Sequence, residues 1–190
     1  MTQPLHPTDA LSLVAGKLNA AGYRWMLVGS MAGLLYGHVR STVDMDIVLD
    51  CKGLDPQRLS DTFAPEYYLD EQMIQTSAPL GIMFNAISMG AGPKVDLIPL
   101  VDQPFERGAF ERRQAIAWHG TPVMTTTSED LVLSKLRWAA ASQSARQLGD
   151  VRAIMALGLF DEHASYFQHW VRTFGVERLL DACRTSRYEA

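Results

Sequence analysis

The sequence predicts a mixed α/β core over residues 1–125 followed by a helical region over 126–190, an α+β arrangement. Three observations carry that expectation. Apolar runs of strand length, RWMLV (24–28), VDMDIVLD (43–50) and KVDLIPL (94–100), are separated by turn signals and helix-like segments. After Ser128 the hydrophobic period changes from 2 to 3.6. Two of the strand runs also hold carboxylates, Asp44 and Asp46 in one and Asp96 in the other, inside segments that otherwise read as buried.

Taken in order, Thr8 followed by DALSLVAGKLNAAG reads as a capped amphipathic helix closed by Gly22. RWMLV is a short buried strand ending at Gly29-Ser30, and MAGLLYG (31–37) a short helix after that turn. VDMDIVLD is a second strand, with Val43, Met45, Ile47 and Leu49 on one face and Asp44, Asp46 and Val48 on the other. LDPQRLSDTFAP is a surface helix with Pro56 in its first turn. GIMFNAISM (81–89) and KVDLIPL are strands split by the turn signal GAGP. Residues 101–112 are polar and loop-like, and AIAWHGTPVMTTT forms a hairpin around His119-Gly120. SEDLVLSKLRWAAAS, SARQLGDVRAIMALG and EHASYFQHWVRTFGVERLLDACR then give three or four helices, the first begun by Ser128 with Glu129 and Asp130.

Composition bounds the function classes. The chain is 47% hydrophobic and 20% charged, as expected of a soluble globular protein. It has no apolar run of about 18 residues and no basic-then-apolar leader, so a cytoplasmic protein without a membrane partner is expected. Cys51 and Cys183 have neither metal-ligand spacing nor the number for a disulfide framework. The formal net charge of −4 offers no broad basic field for nucleic acid. The acidic excess lies before Ser128, with 13 Asp/Glu against 9 Lys/Arg, and the remainder balances at 8 and 8.

Asp44 and Asp46, at i and i+2 on a strand, leave the sheet on the same side. If KVDLIPL pairs beside that strand, Asp96 joins them. Three like charges so close do not all stay ionised unaided, and a pair of divalent cations resolves this. Carboxylates with phosphate oxygens suit Mg²⁺ or Mn²⁺. Gly29-Ser30, turning into a helix, presents backbone N–H groups and a hydroxyl to an anion. Bound triphosphate beside metal-holding carboxylates is the arrangement nucleotidyl transfer requires.

VGSMAGLLYGHVRSTVDMDIVL resembles the nucleotidyltransferase-superfamily signature of a hydrophobic residue, Gly, Gly or Ser, a gap, then Asp-hydrophobic-Asp-hydrophobic. The gap between Ser30 and Asp44 is 13 residues, at the long end for that family. Arg40 and Thr42 in HVRSTVDMD match the Arg-x-Thr-x-Asp form of its minimal and AbiEii-like branches, and KVDLIP resembles the third-acid strand. SEDLVLSKLRWAAASQSARQLGDVRAI is similar to the AbiEii-like helical motif, with Lys135 at the motif lysine and Asp150 at the motif acid; GDVRAI keeps one acid where that motif often has two. The resemblance spans roughly residues 24–155. It implies a polymerase-beta-like, nucleotidyltransferase-type mixed sheet flanked by helices, with a C-terminal helical bundle. It further implies a metal-dependent transfer of a nucleoside monophosphate from an NTP to an RNA, protein or small-molecule acceptor. Asp44, Asp46 and Asp96 would be catalytic metal ligands for Mg²⁺ or Mn²⁺, with Gly29, Ser30, Arg40, Thr42, Lys135 and Asp150 handling the nucleotide. Some relatives act in toxin–antitoxin pairs, so a cognate toxin or antitoxin joins NTP and acceptor among the implied partners.

Each feature also has a plainer reading. The acid pair could face solvent or pair with Arg40, which either holds a phosphate or braces the acids. Gly29-Ser30 alone is an ordinary strand-to-helix turn, a helical Lys135 is commonly a solvated residue, and Asp150 could pair with Arg146 at i+4. His38 reads as a loop residue; His163 and His169, six apart, do not share a helix face. Trp25, Trp138 and Trp170 read as packing aromatics. The rival functions are a non-catalytic antitoxin-like or nucleotide-binding module on the same fold, and a structural cation site in an unrelated α/β domain.

Overall fold

The computed structural model describes residues 7–38, 44–90 and 92–185. It divides into two compact units, Met1–Met31 with Ser41–Thr126, and Ala32–Arg40 with Thr127–Ala190.

The first unit is built on a seven-stranded mixed sheet of order β3-β4-β5-β2-β1-β7-β6. Its strands are β1 (Trp25–Val28), β2 (Asp44–Leu49), β3 (Tyr67–Tyr68), β4 (Phe84–Ser88), β5 (Lys94–Pro99), β6 (Gln114–Trp118) and β7 (Thr121–Thr125). β1 runs antiparallel to β2 and parallel to β7, while β2 and β5 are parallel neighbours. β4 is antiparallel to β5 and β3 to β4. The alternation in β2 is fully expressed: Met45, Ile47 and Leu49 are buried, and Asp44, Asp46 and Val48 are half-buried. Ile47 pairs with Leu27 on one side and Leu97 on the other, so one face of the central strands is continuous hydrocarbon.

Helix α1 (Pro7–Ala20) lies against β7 and against α3 (Pro56–Phe63). It begins at Pro7, so Thr8 lies within the first turn rather than capping it from outside, as suits a proline whose missing N–H is needed by no one there. Asn19 ties α1 down at both ends of its amide, accepting from Trp25 Nε1 at 2.9 Å and donating to the Pro122 carbonyl at 2.8 Å. Asp55 caps α3, accepting from the Gln57 and Arg58 amides, with Pro56 at its start as the sequence suggested. Helix α4 (Glu71–Ser77), capped by Asp70, leads through a 3₁₀ turn at 78–80 into β4.

One element departs from expectation. Residues 104–112, read as loop, form α5 (Pro104–Arg112), which buries Phe105, Ala109 and Phe110. Its apolar stripe is only three residues long, but the Arg113 guanidinium lies 4.2 Å from the centre of the Phe110 ring and covers it. The hairpin at His119-Gly120 forms as expected, both residues having positive φ as a two-residue primed turn requires.

Helix α2 (Gly29–Leu35) begins at the glycine itself. The second unit contains four further helices, α6 (Ser128–Ser142), α7 (Ala145–Leu157), α8 (Ser165–Phe174) and α9 (Glu177–Thr185). α6 packs on α7, α8 and α9, and α7 on α9, around Leu133, Leu136, Val151, Ile154, Phe167, Val171 and Leu180. Thr127 caps α6, accepting from the Asp130 amide and donating to its carboxylate; the cap therefore lies one residue before the expected Ser128. Among the described residues no helix is long and apolar enough to cross a membrane.

Ile47 is fully buried on the face of β2 opposite the acids. Ile47→Ala should therefore lower the unfolding free energy by about 2–5 kcal/mol, read from a urea titration.

Candidate active site

The parallel pairing of β2 with β5 sets Asp46 directly across from Asp96 and Asp44 across from Lys94. Directly opposed residues point to the same face, so the sheet brings three carboxylates and one ammonium to a single patch. Asn85 on β4 stands opposite Asp96 on its other side and extends the same row. Asp96 is 7% exposed, the most enclosed of the three acids.

The other wall of the patch is the β1–α2 turn. Val28 pairs with Asp46, so the next residue, Gly29, starts its turn against that carboxylate. Gly29 has φ of +67°, and a Cβ there would fall 2.1 Å from Asp46 Oδ2 and 2.9 Å from its Cγ. Glycine is required twice over, by the left-handed backbone and by the space. Ser30 follows in the first turn of α2.

Lys94 Nζ lies 2.9 Å from Asp96 Oδ1, and Asn85 Nδ2 donates to the same oxygen. The hydrogen bond to Asp96 raises the Lys94 pKa above the ordinary lysine value against the opposing desolvation, with further help from the charges of Asp96, Asp44 and Asp46. Three carboxylates are a donor set that hard divalent cations favour. As placed they do not close on one: among the described residues no group of three or more His, Cys, Asp or Glu could hold a metal ion. Among the described residues, Lys94 is the ammonium that meets Asp96 on this face.

In the second unit, Lys135 on α6 and Asp150 on α7 meet at 2.6 Å, with side chains 5% and 4% exposed. Lys135 also donates to Gln147 Oε1 at 3.2 Å, and His38 Nε2 lies 3.0 Å from Asp150 Oδ1. Lys135 is thus buried rather than solvated, and Asp150 pairs with a residue fifteen positions earlier. Parting this buried carboxylate from its ammonium would leave a charge unpaired in low dielectric, which makes the pair costly to open.

The expected residues therefore fall into two groups. Gly29, Ser30, Asp44, Asp46 and Asp96 belong to the first unit, Lys135 and Asp150 to the second. Arg40 and Thr42 lie outside the described residues. Sequence reasoning passed over Asn85 and Lys94, and read His38 as a loop residue without a partner in Asp150. Lys94 was within reach, because a residue two before Asp96 on a strand shares its face. Asn85, a lone polar residue in an apolar run, carried a weaker signal, and nothing in the spacing pointed from His38 to Asp150.

No family model matches the sequence, and no curated protein does. Solved structures do. A nucleotidyltransferase-like antigenic protein from Paracoccidioides brasiliensis superposes with a TM-score of 0.54 at 15% identity, over 93% of this chain and 90% of that one. The resistance factor ANT(2'')-Ia, in complex with adenylyl-2''-tobramycin, gives 0.53 at 14% identity, over 94% and 97%. The lincosamide adenylyltransferase LnuA, with lincomycin bound, gives 0.56 at 12% identity, over 82% and 99%. The chain has the mixed-sheet fold of these nucleotidyltransferases.

Two double-mutant cycles probe the local packing. Gly29→Ala should destabilise by about 2–4 kcal/mol, and by only about 1 kcal/mol in an Asp46→Ala background, where the positive φ alone remains. Lys135→Met should cost about 3 kcal/mol by stranding Asp150, and Lys135→Met with Asp150→Asn less than the sum of the two single changes. Chemical denaturation reads both.

Proposed function

We propose that this chain is a divalent-metal-dependent nucleotidyltransferase of the AbiEii-like kind, moving a nucleoside monophosphate from an NTP to a hydroxyl. The observation that carries the reading is the side-by-side register of Asp46 and Asp96, walled by a glycine turn that only glycine can make. The acceptor oxygen attacks the α-phosphorus, a P–O bond forms, the α–β bridge breaks and pyrophosphate leaves. Asp96 takes the hydroxyl proton; its Oδ1 accepts from Asn85, which fixes the carboxylate's orientation. Gly29 and Ser30 hold the triphosphate through backbone N–H groups and the hydroxyl. Mg²⁺ or Mn²⁺, when bound, supplies charge neutralisation at the phosphate oxygens. Arg40 and Thr42 are assigned to nucleotide handling on the motif resemblance; Lys135 and Asp150, which match its helical motif, serve as a buried brace of their helices rather than as direct phosphate contacts.

A small hydroxylated molecule with an apolar body is the acceptor the surroundings favour. Along β4 the residue two beyond Asn85 is Ile87, and Tyr68 stands opposite it on β3, so both continue the face that carries Asp96. They are 56% and 54% exposed, an uncovered apolar shelf beside the third acid. From Leu59 to Pro93 the chain has no Lys, Arg or His to meet an RNA backbone. The small-molecule products and ligands of ANT(2'')-Ia and LnuA support the same class of acceptor.

The test is incubation of the purified protein with each labelled NTP and Mg²⁺ or Mn²⁺, offering hydroxylated small molecules, bulk tRNA and cell protein in parallel. Transfer to a small molecule is expected. Asp44→Ala, Asp46→Ala and Asp96→Ala should each lower the rate about a hundredfold or more, the loss of several kcal/mol of transition-state stabilisation. Absence of transfer with every acceptor, alongside a protein copurifying in stoichiometric amount, would replace the enzyme with an antitoxin-like module in a toxin–antitoxin pair.

A further inference from the structure

Lys94 stands on the carboxylate face where the nucleotidyltransferase reading places a divalent cation. It stands opposite Asp44 in the ladder, two residues before Asp96 on the same face, and its ammonium is 2.9 Å from the Asp96 carboxylate. A lysine ammonium and a divalent cation answer the same need, neutralising like charges held together by the sheet. They answer it differently. The ammonium brings one charge and three donors, whereas a divalent ion brings two charges and draws several oxygens to itself. With the ammonium bridging to Asp96, that carboxylate is turned to Lys94 and Asn85, and the three acids do not gather round a common point.

We propose that Lys94 is an internal counter-ion that competes with the divalent cation for Asp96 and leaves when the metal binds. The inference rests on the nucleotidyltransferase reading for the identity of the cation, and on the ladder register for the rest. The lysine side chain is 42% exposed against 10% for Asp96, so the ammonium swings into solvent while the carboxylate stays. Lys94 is on this account a positioning residue: it balances the Asp96 charge when no metal is present and weakens metal binding by the work of its own displacement.

The competition predicts a crossing that a merely structural lysine would not give. Lys94→Met should bind Mn²⁺ about tenfold more tightly than the unaltered protein, read by the free-ion signal in electron paramagnetic resonance, since one opposing charge has gone from the site. Lys94→Arg, which keeps the charge and adds a rigid fork, should bind Mn²⁺ no more tightly than the lysine. Without divalent ions Lys94→Met should melt below the unaltered protein, Asp96 having lost its ammonium, and saturating Mn²⁺ should close or reverse that gap. Lys94→Gln provides the same comparison if the methionine variant does not fold. Equal or weaker Mn²⁺ binding by the neutral variants, in a protein that itself binds Mn²⁺, would overturn the competition and leave the nucleotidyltransferase reading intact. Absence of Mn²⁺ binding by every form, with NTP present, would overturn both.

Discussion

Two carboxylates facing each other across a parallel ladder are the constraint on which the site depends. Asp46 and Asp96 are set side by side by backbone hydrogen bonds, so their repulsion is not relieved by moving apart without breaking the register. That register is fixed by the other face of the same strands. A one-residue slip would carry Ile47, Leu97 and Val95, all fully buried, to the acid face. The hydrocarbon core thus supplies the force that holds like charges together, and the charges must find cations to balance them.

The turn after β1 depends on the same pair. Because Val28 is the ladder partner of Asp46, the backbone must leave the sheet immediately against a carboxylate. A side chain at Gly29 would occupy the volume of Asp46 Oδ2. The glycine and the acid are therefore one feature in space, although 16 residues separate them in sequence. This coupling gives physical content to a motif that reads, in one dimension, as two unrelated short patterns.

Much of this was legible beforehand. The alternation in VDMDIVLD gave the buried and polar faces of β2 correctly, and the change of period after Ser128 gave the helices of the second unit. What escaped notice had local reasons. α5 has three buried residues in a polar stretch, and its stability comes from covering by Arg113, which is no part of its own periodicity. β3 is two residues long, shorter than any pattern can announce. The neighbours of Asp96 are a matter of strand order. That β4 lies on one side of β5 and β2 on the other places Asn85 and Asp46 beside the same acid, and no spacing in the chain contains that fact.

Two lysine–carboxylate pairs among the described residues, Lys135–Asp150 and Lys94–Asp96, are chemically alike and physically opposite. Lys135 and Asp150 are 5% and 4% exposed, and the acid has His38 as a second partner. With so little water to replace either charge, the pair holds as part of the helix packing. Lys94 is 42% exposed, and its acid is held by Asn85 whether or not the lysine stays. Separating the second pair exposes one ammonium to solvent that already reaches it, a small change in free energy beside the first. The difference assigns them different work. A pair that does not open fixes the place of a helix, whereas a pair that opens readily can hand a carboxylate from one cation to another. Of these two, the pair on the sheet has the exposure for exchange, and it stands beside the glycine turn and the two other acids.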